Sequence, residues 1–212
     1  MQAAKITRVC VVRHGETDWN AGKRLQGQID VPLSALGHAQ ARATGNALMD
    51  EGFDAIYSSD LARARQTAEA TAHLAHLQLR LAPGLRERHY GVFQGLTHEE
   101  AAVRHPADYA RHKAREPRFA PAGGESLLDL AARIGAACDA IVRAHAGRAV
   151  ALFTHGGVLD VLYRQAAGQP LETPRDFPIP NCAINWFEVV NGCWTLLSWA
   201  ERGHLDAARD EL

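Results

Sequence analysis

The chain is poor in several features that would decide its class. Its 212 residues hold four cysteines, Cys10, Cys138, Cys182 and Cys193, none at CxxC spacing. So few and so scattered, they argue against a disulfide framework or a thiolate metal site, and fit reduced thiols in the cytoplasm. Three of the four sit in apolar periodic segments and read as packing residues. No run approaches the roughly 20 apolar residues of a membrane span, and residues 1–7 hold no secretory-type apolar stretch. The expectation is a cytoplasmic location with no membrane partner. Net charge is −1, which offers no broad basic surface to nucleic acid. No GxSxG elbow, Walker A loop or strand-linked GxGxxG is present, arguing against α/β-hydrolases, P-loop NTPases and dinucleotide enzymes. His98-Glu99-Glu100 opens like a zinc-protease HExxH, but position 102 is Ala.

What is present is an alternation of strands and helices. Arg8–Val12 is a short β-branched run. Ser34 is placed to cap a helix carrying Leu36, Ala39, Ala43 and Ala47 on one stripe, stopped by Gly52. Phe53–Ser58 reads as a strand, followed by a helix capped by Ser59 or Asp60 and running to about His73. Leu77–Leu81 is a weaker strand. Ser126 to Asp129 forms a capping box, and Leu127, Leu130, Ile134, Cys138 and Ile141 recur at helical spacing until Gly147. Ala149–Phe153 is wholly apolar, and a helix is expected over Val158–Ala167. Ala183–Val190 and Cys193–Trp199 make a hairpin through Asn191-Gly192. The tail after Gly203 is polar and is expected to fray or dock loosely. Such alternation predicts a three-layer α/β/α fold, a mostly parallel sheet with helices on both faces and a C-terminal antiparallel hairpin.

In such sheets ligands sit beyond the carboxyl ends of the strands. Arg13 and His14 follow the first strand, His155 follows the Ala149 strand, and Arg63 lies in the helix after Tyr57-Ser58. A permanent cation beside an imidazole points to chemistry on an anion, phosphate above all.

The chain resembles the histidine phosphatase superfamily, with the phosphoglycerate-mutase-like fold. The matching blocks are Arg13-His14-Gly15-Glu16-Thr17 with Trp19-Asn20, Leu25-Gln26-Gly27, and Asp30 to Ser34. Further blocks are Ser58 to Ala64 with Thr67-Ala68, Leu85-Arg86-Glu87 with Gly91 and Gly95, Gly124-Glu125-Ser126, and Thr154-His155-Gly156-Gly157. They stand in the family's order from residue 8 to residue 157. The resemblance implies a single domain over 1–212 with a cap segment at about 95–124. It implies that His14 takes the phosphoryl group, its other ring nitrogen held by the Gly15 carbonyl. Arg13, Arg63 and His155 would clamp the phosphoryl oxygens, and Glu87 would protonate the leaving oxygen and then activate water. Asn20, Gln26, Gly27 and Gly156 resemble phosphate or substrate contacts. No metal and no cofactor is implied; 2,3-bisphosphoglycerate enters only for a mutase. The partner is a small phosphorylated metabolite, and both a monomer and a homodimer fit.

Each residue taken singly also has an ordinary reading. Arg13-His14 could be a surface pair, Arg63 a solvated helix residue like Arg65, and Glu87 part of a charged turn. Gly156-Gly157 could be a tight helix entry. The cap is locally basic through Arg104, His105, Arg111, His112, Lys113, Arg115 and Arg118. Those side chains either form a solvated face or meet a second anionic group on the substrate. Leu171–Pro180, with three prolines, is expected to skirt the site. Cofactor-dependent mutases of this family carry a longer insertion with an adjacent arginine pair, and this chain has no Arg-Arg dipeptide. The expectation is therefore a phosphomonoester hydrolase, with phosphoglycerate mutase as the alternative and a non-catalytic phospho-ligand module as a further one.

Overall fold

A computed structural model describes residues 5–206. Six strands form one sheet: β1 (Thr7–Arg13), β2 (Ala55–Ser58), β3 (Leu79–Leu81), β4 (Ala149–Thr154), β5 (Ile184–Val190) and β6 (Cys193–Glu201), in spatial order β3-β2-β4-β1-β5-β6. The first four in that order are parallel, and the last two add antiparallel. The sheet is thus mostly parallel and ends in a hairpin, as the sequence predicts. Asn191 (φ 52°) and Gly192 (φ 82°) turn that hairpin with two left-handed residues, matching the twist of its strands.

The helices are α1 (Asp18–Ala21), α2 (Ala35–Leu48), α3 (Ala62–Leu74), α4 (His98–Arg104), α5 (Pro106–Lys113), α6 (Leu127–Ala144) and α7 (Gly156–Ala167). Val9 and Val11 of β1 join Leu130, Ile134, Leu159 and Leu162 of α6 and α7 in one core. Cys10 and Val12, pointing the other way, join Leu48 of α2 and Ala68 and Ala72 of α3 in a second. Strand β1 is therefore apolar on both faces, as a central strand between two helical layers must be. Each fully buried Val or Leu there contributes roughly 1.5–3 kcal/mol.

Several expectations need correction. The N-cap of α3 is Leu61, without a side-chain cap bond, rather than Ser59 or Asp60. Asp30 supplies the missing acceptor from across the chain, taking the Ala62 N–H at 2.7 Å. Helix α2 has its Ser34 cap, but Ala47 is exposed and Gly37, Thr44 and Gly45 are buried instead. Close approach decides that face: a Cβ on Gly37 would lie 2.0 Å from the Glu16 carbonyl, and one on Gly15 2.6 Å from the Gly37 carbonyl. Helix α7 begins at Gly156, two residues before Val158. Of the two expectations for the segment after Gly203, docking holds at His204, which bridges Thr44 of α2 (3.2 Å) and the Cys182 carbonyl (3.1 Å). The tail beyond residue 206 lies outside the described residues. Cys10, Cys138 and Cys182 are buried and Cys193 is exposed. No helix among the described residues is long and apolar enough to cross a membrane.

Between residues 95 and 124, α4 and α5 pack over a small third core of Leu25, Phe93, Ala101 and Phe119. Arg88 pins this cap with its Nε on the Glu125 carbonyl (2.8 Å) and its Nη2 on the Phe119 carbonyl (3.1 Å).

Candidate active site

Strand register brings the first pair of residues together. Arg13 is opposite Thr154 in the β1–β4 ladder, and the His14 N–H continues it to the Thr154 carbonyl at 2.9 Å. His14 and His155 thus leave neighbouring parallel strands side by side, ring centroids 5.3 Å apart. On the next strand, the Ser59 N–H reaches the Phe153 carbonyl at 3.0 Å, and its Oγ is 2.8 Å from His155 Nε2.

His14 Nδ1 is 2.7 Å from the Gly15 carbonyl, which can only accept. Nδ1 therefore carries the hydrogen, and in the neutral ring Nε2 keeps its lone pair. Burial first, then Arg63 and Arg13, hold His14 well below the usual imidazole range, so the neutral ring is the stable form at pH 7. The loop behind it is braced at both ends. Thr67 Oγ1 accepts from the Gly15 N–H (3.0 Å), and the Asn181 amide donates to the His14 carbonyl (2.9 Å).

Arg13 donates from Nη1 to the Ile179 carbonyl at 2.5 Å, while Arg63 donates to the carbonyls of Ile29 (2.9 Å) and Gly27 (2.7 Å). Among the described residues, Nε of both arginines and Nδ1 of His155 are buried without a partner. Buried polar atoms without partners are uncommon, and these three cluster beside His14. Burial pulls Arg63 down to about 10, still a cation at neutral pH, and holds His155 well below its ordinary range.

Glu87 arrives from the loop after β3. Both its oxygens accept from the Gly157 N–H at 3.1 Å, and Oε1 also accepts from the Arg88 N–H at 2.7 Å. A Cβ on Gly157 would stand 2.2 Å from Oε1, so glycine there makes room for the acid. A Cβ on Gly156 would make ordinary contacts at 3.8 Å, and no close approach demands glycine there.

The sequence missed the residues that hold Glu87. Arg133 of α6 donates to the carbonyls of Gly84 (2.9 Å), Arg86 (2.9 Å) and Glu87 (3.2 Å), and both its Nε and Nη2 reach Glu125 at 2.8 Å. Arg86 locks the same segment to Asp60 in a bidentate pair at 2.7 and 2.5 Å. Only the Ser126 capping box signalled the start of α6, and nothing in it marked Arg133.

The other expected contacts lie around the same cavity, of about 690 Å³, lined among others by Asn20, Gln26, Gly27 and Gly156. Asn20 Oδ1 is engaged in the α1 capping box with Thr17, and Gly27 offers its carbonyl to Arg63. Gln26 Oε1 is buried without a partner among the described residues. Of the basic cap residues, His112, Lys113 and Arg115 line the cavity, whereas Arg111 turns to Glu116 at 2.7 Å. Pro174, Arg175 and Phe177 line it from the proline-rich loop.

Comparison with known proteins identifies the family. Residues 9–202 match the family model of the histidine phosphatase superfamily (branch 1). The chain is 36% identical over 212 residues to a metal-independent phosphoserine phosphatase of Arabidopsis thaliana, covering 96% of this chain and 85% of that one. It is 35% identical over 218 residues to "Probable phosphoglycerate mutase GpmB" of Yersinia pestis (98% and 99% covered). A mycobacterial glucosyl-3-phosphoglycerate phosphatase structure superposes with a TM-score of 0.83 at 33% identity, over 93% of this chain and all of the other. A sheet edge presenting Arg13, His14, Arg63 and His155, and a family match over nearly the whole chain, lead to one statement: this chain belongs to the histidine phosphatase superfamily.

Proposed function

We propose that this protein hydrolyses small phosphomonoesters through a phosphohistidine on His14. The observation that carries the reading is the His14 ring: Nδ1 tied to the Gly15 carbonyl, the ring held neutral by burial and two arginines, and Nε2 free to attack.

The chemistry then balances. The Nε2 lone pair forms a bond to phosphorus as the ester P–O bond breaks, and the leaving alkoxide takes a proton from the Glu87 carboxylic acid. In the second half, the Glu87 carboxylate takes a proton from water as that water attacks phosphorus. The P–N bond breaks, releasing inorganic phosphate and restoring His14. Arg13, Arg63 and His155 hold the equatorial oxygens, where charge spreads in the transition state. The charge of Arg13 and Arg63 is what this reading requires, with His155 as a hydrogen-bond donor, and it needs no metal. The Asn20 amide, Gln26, the Gly27 segment and the Gly156 N–H, in a first helical turn whose amides lack internal partners, complete the substrate contacts. Lys23, Lys113 and Arg175 line the cavity without a salt bridge among the described residues, favouring a substrate with a second anionic group.

A mutase is the second reading, favoured by the likeness to the Yersinia protein named as one. Incubation with 3-phosphoglycerate, with and without 2,3-bisphosphoglycerate, separates the two. Hydrolysis predicts inorganic phosphate as the product in both cases. Interconversion with 2-phosphoglycerate without phosphate release would replace this reading by the mutase.

A further inference from the structure

Asp160 stands four residues after Gly156 on α7, hence one turn along the same face of the helix. It lines the cavity yet is only 4% exposed. Its Oδ2 accepts from Arg115 Nη2 at 2.5 Å and from Arg164 Nε at 3.3 Å. Its Oδ1 is buried and has no partner among the described residues. A half-used buried carboxylate is costly, because each unsatisfied oxygen forfeits its hydration. Arg115 is committed elsewhere: it holds a left-handed backbone (φ 56°), and its Nε donates to the Leu171 carbonyl at 2.8 Å. The pair joins the cap to α7 and still leaves one acceptor over.

We infer that Asp160 reads the leaving group of the substrate, its Oδ1 accepting a hydrogen bond from an O–H or N–H carried close to the ester carbon. The placement follows from the acid. Glu87 is held by the Gly157 N–H, so a departing alcohol leaves beside the start of α7, and its substituents come next to Asp160 one turn further on. The substrate class is then a phosphomonoester whose alcohol bears a neighbouring hydroxyl or ammonium donor. The inference rests on the hydrolase reading for the position of the leaving group. A site built to accept such a hydrogen bond rejects an analogue lacking the donor, since the buried oxygen is then left bare.

Three substrates that differ only at the carbon next to the ester test it: 3-phosphoglycerate with a hydroxyl, O-phosphoserine with an ammonium, and 3-phosphonooxypropionate with hydrogen. Wild-type protein is expected to favour at least one donor-bearing compound over the propionate by about tenfold or more in kcat/KM. The preferred one identifies the donor as hydroxyl or ammonium. In Asp160→Asn the amide carbonyl stays on the two arginines and its NH2 replaces Oδ1, an acceptor turned donor. That ratio should then fall to about one. Because the ratio is taken within one preparation, it does not depend on the fraction folded. Equal kcat/KM across the three in wild type, or an undiminished ratio in Asp160→Asn, would overturn the assignment. Calorimetric binding of the same compounds to His14→Ala repeats the comparison without turnover. Discrimination in binding with no hydrolysis of any substrate would discard the hydrolase reading and keep Asp160.

Discussion

The two walls of the cavity are built on different terms. The inner wall grows out of the parallel sheet. Arg13, His14 and His155 are placed by the β1–β4 register, and Glu87 by two backbone amides. The outer wall is a cap with a core of four buried residues and an 81% exposed Val103; its Lys113 lines the cavity in no salt bridge among the described residues, while its Arg115 pairs with Asp160. The groups proposed to react thus sit where shifting one side chain means shifting the ladder. On the proposed reading, recognition is shared between cap residues on short helices and Asp160 of α7. On that reading the contrast separates the groups proposed to react from those proposed to select the substrate.

The largest way to break that contrast is at the acid. Glu87→Gln should lower kcat for an alkyl phosphate by roughly 10²–10⁴, with a smaller loss for p-nitrophenyl phosphate, whose leaving group needs less protonation. Gly157→Ala should reproduce about 10² of it. The added Cβ meets the far end of the Glu87 side chain, so melting temperature should hardly move while kcat falls. Unchanged turnover in both variants would remove Glu87 from the chemistry.

A smaller effect sharpens the cap side. His112 packs against Tyr90, Phe93 and Tyr109. Burial, with Arg88, His98 and Arg115 nearby, pushes it down to about 4. At pH 7 it is neutral both folded and unfolded and contributes nothing to pH dependence. As pH falls below about 6.5 the unfolded chain binds a proton that the folded one refuses, so stability drops by on the order of 3 kcal/mol by pH 4. His112→Gln should therefore lose less stability than wild type between pH 7 and pH 4.5 in urea unfolding. Identical losses would show that the cap does not hold this ring neutral.

The sequence made the inner wall legible because its determinants are local. An apolar run ending in Arg13-His14 and another ending in Thr154-His155 carry strand and chemistry in one stretch. Long-range partners leave no such trace. Arg133 belongs to none of the sequence blocks, yet it carries the backbone of residues 84–87 from α6. The buried face of α2 was misread because Gly37 packs by close backbone approach, which hydrophobic periodicity does not register. In the cap, the basic run gave no hint of which residues turn inward. A left-handed Arg115 and a partner 45 positions away decide that.

The central claim is covalent, and it can be caught directly. Wild-type protein and Glu87→Gln, mixed with radiolabelled p-nitrophenyl phosphate and rapidly quenched in alkali, should carry label on His14. The bond should be an acid-labile phosphoramidate, absent from His14→Ala and more abundant in Glu87→Gln, where water activation is slowed. Hydrolysis proceeding with no label on His14, or with label on another side chain, would contradict the account.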